Sequence, residues 1–270
     1  MKPTCSLIIS TYNSPDRLRR CLQAVLRQRV MPTEVVIADD GSNDDTRQIV
    51  SEIAATTSIP IIHVWQPDNG FRLARIRNMA IGKAIGEYII CIDGDILVDK
   101  NFVHDHLCFA RCGQFITGSR TLLMPAATQK YMDEPNAFPS FFSRFVAKRK
   151  YAFRCYLFAK LYATMRRCTT APYFYVTGCN MSFWKNDLLK VNGYNEAIQG
   201  WGREDTDIAV RLFNTGIKQC FLRFYAVVYH LHHLENNRDS VEANDALFRQ
   251  SLAEKITRIE QGIDKHFHNA

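Results

Sequence analysis

Over the first hundred residues, short apolar runs alternate with stretches of helical period, and few folds can accept that pattern. CSLIIST, TEVVIADD, IPIIHVWQ and EYIICIDGD have the continuous, β-branched character of strands buried on both faces. Between them lie SPDRLRRCLQAVLRQ, with Ser14 as N-cap and Pro15 at the first helical position, then GSNDDTRQIVSEIAATT. A third stretch, GFRLARIRNMAIGKAIG, is basic and stops near Gly86. The alternation predicts an α/β domain with a mostly parallel central sheet flanked by helices. Ligands of such sheets bind beyond the carboxyl ends of the strands. Those ends carry TYN, DDGS and DGD, so three polar clusters are predicted to meet at one rim.

This placement answers an electrostatic problem. Asp93 and Asp95 follow an apolar run, and burying ionised carboxylates without partners is costly. At a strand's exposed carboxyl end, two such acids suit a hard divalent cation, which in turn holds a diphosphate. The plain alternative is an Asp-Gly turn open to water. The ADDGS strand end adds acceptors suited to a base and a ribose.

The remainder divides by composition. Residues 1–112 read as one half and 113–235 as the other half of the same domain, with a closing amphipathic helix over 236–270. The segment 138–168 carries eight Lys and Arg, many aromatics and no acidic residue. It reads as helices whose aromatics pack inward, or as an interfacial surface for anionic lipid headgroups. In NEAIQGWGREDTDIAVRLFNTG, a glycine-rich loop that suits a mobile lid feeds a helix with Glu204, Asp205 and Asp207 in its first turn. Any of the three is a favourable anion at a helix N-terminus. The nine cysteines are scattered without a CxxC pair, which favours reduced thiols; Cys108 and Cys112 find no partner pattern for a metal. No apolar run spans a bilayer, and the N-terminal run is too short for a signal sequence, which predicts a cytoplasmic protein. The net charge of +7 favours an anionic partner.

Five stretches in order, SLIISTYN, EVVIADDGSNDDT, NGFRLARIRNMAI, YIICIDGD and VTGCNMSFWKNDLLKVNGYNEAIQGWGREDTDIAVRL, resemble the family-2 glycosyltransferases of the GT-A fold. The last resembles the Gly-Trp-Gly-x-Glu-Asp segment of galactosyltransferase-like C-terminal regions, and single modules of bacterial chondroitin and hyaluronan polymerases look similar. The resemblance implies a UDP-sugar donor bound by the half 1–112, Mn²⁺ or Mg²⁺, and a glycan or lipid-linked glycan acceptor bound by the catalytic half 113–235. By it, Thr11, Tyr12 and Asn13 line a uridine pocket and Asp40 accepts from uracil. Asp93 touches the ribose or the metal shell, and Asp95 ligates the metal. Some of Arg72, Arg75 and Arg77 face the nucleotide or diphosphate, although helix spacing cannot bring all three to one point. Asp205 matches the catalytic base, Glu204 a sugar contact, and Trp201 a flat face for a pyranose ring. Relatives supply a His ligand from the region of YHLHH. Strand alternation puts His230 and His232 on one face and His233 on the other, which favours His230, then His232. A His ligand leans the site towards Mn²⁺.

The implied reaction is an inverting transfer of one hexose or N-acetylhexosamine to a bacterial surface glycan, lipopolysaccharide or capsule, at the inner face of the cytoplasmic membrane. No nucleic-acid partner is expected. Two rivals are weaker. A nucleotidyltransferase calls for a Gly-rich basic loop where this chain has TYNSPDRLRR, and a catalytically dead lipid or nucleic-acid binding module has no need of Asp93, Asp95 and Asp205 together.

Overall fold

Burial with a period of two sets the architecture. The computed structural model describes residues 2–134, 136–143, 146–147, 149–165, 176–233 and 239–267. Strand β1 (Cys5–Thr11) leads into helix α1 (Pro15–Val25), β2 (Glu34–Asp39) into α2 (Asp44–Ala54), and β3 (Ile61–Trp65) into α3 (Leu73–Lys83). Strand β4 (Tyr88–Asp93) turns at once into the short β5 (Ile96–Val98), followed by α4 (Phe102–Phe109) and β6 (Gln114–Gly118). Leu7, Ile9, Val35, Ile37, Ile90 and Ile92 pack into one cluster, while Ile8, Val36, Ala38, Ile89 and Cys91 pack into another. The sheet is therefore buried on both faces, as the continuous apolar runs predict.

The second half completes the sheet. After β7 (Thr121–Leu123), α5 (Pro125–Asp133), the two-residue β8 (Val146–Ala147) and α6 (Tyr156–Met165), strand β9 (Asn180–Trp184) inserts antiparallel between β4 and β6. Helices α7 (Lys185–Lys190) and α8 (Glu204–Asn214) precede β10 (Lys218–Leu222), which pairs parallel with β6. The seven-stranded order is β10-β6-β9-β4-β1-β2-β3, parallel apart from β9. With β11 (Val228–His230), strands β5, β7 and β8 form a second, four-stranded sheet. Because β5 pairs with β11, the Asp93–Asp95 turn sits where the two sheets meet. Ser14 and Pro15 start α1 as predicted, and the eight described cysteines are free. Among the described residues no helix is long and apolar enough to cross a membrane.

Two expectations need correction. Segment 138–168 is less helical than its composition suggests: it holds β8, a 3-10 turn at Arg149–Tyr151 and α6, while 144, 145, 148 and 166–168 lie outside the described residues. The tail is not one helix either. Helix α9 (Val241–Ala253) ends where the Asn214 amide donates to the carbonyls of Ser251 and Ile256, and Lys255 adopts a φ of 51°. The chain then runs irregularly back to a 3-10 turn at Ile263–His266, fastened by Asn192. Its amide donates to Ile259 O, and its two oxygens accept from the N–H groups of Ile263 and Asp264.

Candidate active site

The site grows from the end of β4. The Gly94 N–H donates to Ser10 O at 2.7 Å, and a Cβ there would lie 3.1 Å from that carbonyl, so only glycine fits this approach unstrained. The tight turn carries Asp93 and Asp95 to different partners. Asp93 Oδ1 accepts from Arg77 Nη2 at 2.8 Å, whereas Asp95 lies against the histidines after β11.

Those histidines depart from the alternation argument. His230 Nε2 is 3.6 Å from Asp95 Oδ1 and His233 Nε2 is 3.1 Å from Asp95 Oδ2. The His232 ring is exposed; its N–H donates to Thr128 Oγ1, and its carbonyl accepts from Arg17. The reason is local: β11 ends at His230, so period-two alternation does not govern the residues beyond it. One ligand atom each from Asp95, His230 and His233 can lie within 4.8 Å of one another. Among the described residues Asp95 Oδ1 is buried with no hydrogen-bond partner, an orphan that a cation would satisfy, so this donor set fits a divalent metal. Burial pushes the Asp95 carboxyl up, but the His233 hydrogen bond and the nearby His230 outweigh it and hold it below the ordinary range. Burial holds His230 down, which favours the neutral, ligating imidazole.

Across the turn, Arg77 is a fully buried cation. Its Nε donates to Ser10 Oγ at 3.0 Å, Nη2 to Asp93, and Nη1 lies 3.6 Å from Glu204 Oε1. Burial pushes the Asp93 carboxyl up against the pull of Arg77. Burial and the neighbouring Asp205 push Glu204 up to about 7, again against Arg77.

The first turn of α8 now separates its three acids. Asp207 is fully buried, accepting from Arg211 Nε at 2.8 Å and Ser251 Oγ at 2.7 Å, which makes it structural. Glu204 faces Arg77. Asp205 is partly exposed; its Oδ2 accepts the Gly178 N–H at 2.9 Å and its Oδ1 the Thr206 hydroxyl at 3.0 Å. A Cβ at Gly178 would lie 3.0 Å from Asp205 Oδ2, so glycine is what lets the carboxylate settle there.

On the β1–β2 side, Tyr12 is exposed with its hydroxyl donating to Asp68, and Asn13, at φ 41°, has its N–H on Ser42 Oγ. Thr11 Oγ1 is buried without a partner. Asp40 is buried and accepts from the Gln66 amide and from the Arg72 N–H. The three arginines divide as helix spacing requires: Arg72 and Arg75 line a cavity of about 250 Å³ with Asn69, Glu196 and Gln199, and Arg77 points away to Asp93. Trp201, 41% exposed, lies on the loop before α8. That loop is not loose. Asn244 of α9 donates to the carbonyls of Gln199, Trp201 and Gly202, and Arg203 pairs with Asp245. Sequence reading did not single out His233, Gly178 or Asn244 for the site; only the His233 position, within YHLHH, carried any signal.

The family model for glycosyl transferase family 2 matches residues 6–167, more than half of the chain. The chain belongs to glycosyl transferase family 2. A second model, described as the N-terminal domain of galactosyltransferase, matches residues 161–234, the part carrying Asp205 and the histidines. Chondroitin synthase of Pasteurella multocida (strain Pm70) is 28% identical over 97% of this chain and 29% of its own length. Chondroitin synthase of Escherichia coli is 26% identical over 83% and 34%. The chain thus spans about a third of these relatives. The solved structure of GalNAc-T7 with UDP, GalNAc and Mn²⁺ superposes with a TM-score of 0.68 at 16% identity, covering 98% of this chain and 50% of that one. The fold of this glycosyltransferase is GT-A.

Three variants probe the transferase at these residues. His233→Ala should weaken Mn²⁺ binding, monitored by electron paramagnetic resonance, at least about tenfold, the lower bound set by loss of an outer-shell partner. His232→Ala should leave it unchanged, and the reverse ranking would restore the alternation argument. Glu204 makes stability pH-dependent. A raised folded pKa means the group's contribution is fully present below its ordinary value of 4.5 and lost as pH rises through about 7. Glu204→Gln removes that loss, so its stability relative to wild type should rise by about 3 kcal/mol across that window in urea titrations. A flat difference would put the proton elsewhere.

Proposed function

We propose that the protein transfers one hexose or N-acetylhexosamine from a UDP-sugar to a hydroxyl of a growing bacterial surface glycan, lipopolysaccharide or capsule, inverting the anomeric carbon. The observation that carries this reading is the set of buried polar atoms at one rim that find no hydrogen-bond partner among the described residues: Thr11 Oγ1, Arg77 Nη1, Asp95 Oδ1 and Glu204 Oε2. Buried polar groups are normally satisfied, and a bound donor is what would satisfy these.

Each residue has a part in this reading. Thr11, Tyr12, Asn13 and Asp40 border the uridine, with Asp93 towards the ribose. Arg72 and Arg75 draw the anionic donor to their cavity. Asp95, His230 and His233 hold the metal, with Mn²⁺ favoured over Mg²⁺ by two imidazoles. When bound, it neutralises charge on the leaving diphosphate. Trp201 and Glu204 orient the sugars. Asp205 accepts the acceptor hydroxyl's proton as its oxygen attacks, and no covalent nucleophile is required. The acceptor is a glycan or lipid-linked glycan met at the inner face of the cytoplasmic membrane.

The test is UDP or GDP release across a panel of nucleotide sugars with a glycan acceptor, with and without Mn²⁺, for wild type and Asp95→Ala. Metal-dependent release from one UDP-sugar, lost in the variant, is expected. Release from a GDP-sugar alone would overturn the uridine assignment, and metal-independent release would overturn the Asp95 role.

A further inference from the structure

A helix on a protein surface normally turns polar side chains to water. Helix α6 does not. Ala159 is completely buried in the core cluster and fixes the inward direction. On the opposite side, at helical spacing, stand Leu157, Leu161 and Met165, which are 71%, 58% and 76% exposed. Phe158 extends the stripe at 51%, and Phe142, between α5 and β8, is 84% exposed.

Along the flank of the same helix opens a cavity of about 600 Å³. Arg111, Lys160 and Lys218 line it, together with Gln114 and Thr164, and among the described residues no acidic side chain does. Lys160 and Thr164 line the groove from α6 itself, so the basic groove borders the apolar stripe. The groove lies at the start of β6 and β10, the end of the sheet opposite the Asp93–Asp95 rim, and is separate from the catalytic residues.

We propose that α6 and this groove form a docking surface for an anionic phospholipid bilayer. Leu157, Leu161 and Met165 enter the acyl boundary, and Arg111, Lys160 and Lys218 meet headgroup phosphates. Charge selects this occupant. Arg111, Lys160 and Lys218 share the groove with no acid among its described lining residues, and the chain carries +7, so two copies meeting through this face would repel. A sugar chain would leave the aliphatic stripe in water. The inference rests on the proposed membrane setting for its meaning, while its evidence is this surface, so the two fail separately.

Cosedimentation of the full chain with phosphatidylglycerol-containing vesicles, against phosphatidylcholine vesicles, tests it. Binding is expected to the anionic vesicles and to weaken with salt. Lys160→Gln with Lys218→Gln should weaken partition roughly thirty-fold, from about one kcal/mol per surface cation. Leu161→Glu should reduce it to background. Circular dichroism melting and nucleotide release should stay at wild-type values in both variants, since the altered side chains are solvent-facing and remote from Asp205. Equal binding to neutral vesicles, no binding to either, or full binding by Leu161→Glu would overturn the proposal. So would light scattering that shows a dimer broken by Leu161→Glu, which would assign the stripe to a second copy. Phosphate binding in the groove without vesicle binding would assign it to a free anion.

Discussion

Asp205→Asn is expected to lower kcat for sugar transfer by about a hundred- to ten-thousand-fold, the range general-base catalysis contributes, while the Kd for UDP stays at its wild-type value. The substitution is nearly isosteric. An asparagine oxygen can still accept the Gly178 N–H that Asp205 Oδ2 accepts at 2.9 Å, so the start of α8 keeps its geometry. What is lost is the capacity to take a proton. Transfer of labelled sugar, with calorimetry of UDP binding, separates the two quantities. Of the neighbouring acids, Asp207 is consumed by Arg211 and Ser251, and Glu204 is directed at Arg77. If Asp205→Asn keeps its turnover and Glu204→Gln loses it, the base is Glu204 and the proposed role of Asp205 falls.

How far these roles can be read from sequence depends on whether local periodicity or tertiary packing decides them. The strands ending at Thr11, Asp39 and Asp93 are announced by apolar runs, and their shared rim follows from the parallel sheet they build. Asp95 is legible because the turn after β4 is short. His233 is not, because the strand that would order its side chain stops at His230 and the backbone beyond answers to Asp95 O and Thr128. Three acids in one helical turn look alike in sequence. Ser251 of α9 settles the place of Asp207, and the glycine at 178 settles that of Asp205, both remote in the chain. The tail beyond Ala253 misleads for the same reason: Asn192 and Asn214 hold it, and neither belongs to its local pattern. Arg77 is the clearest case, since its place in a basic helix suggests a solvated or phosphate-facing charge, yet the fold buries it.

That burial makes Arg77→Met the variant with the largest expected cost to stability, about 3 to 5 kcal/mol, as for other buried ion pairs deprived of one partner. The loss is not mainly that of hydrogen bonds to Ser10 and Asp93. Glu204, largely buried, and Asp93, buried over about two thirds of its side chain, would remain beside each other without the cation that now opposes the effect of burial on both. Methionine roughly fills the volume beside the Tyr194 ring, over which the guanidinium lies at 5.3 Å, so a cavity contributes little. For a chain of this size the melting temperature should fall by roughly 10 °C. The sign with pH is fixed by the same charges. Without Arg77 the two folded-state carboxyls rise further above their unfolded values. Stability relative to wild type is then retained at low pH, where both are protonated in either state, and lost as pH rises through the folded values. Arg77→Met with Glu204→Gln should regain part of the deficit, and a double-mutant cycle in urea measures that coupling. A variant as stable as wild type at neutral pH, or a deficit unchanged on acidification, would mean that Arg77 does not neutralise this pair. The Nη1 beside Glu204, which has no hydrogen-bond partner among the described residues, would then be better explained as a contact held open for substrate alone.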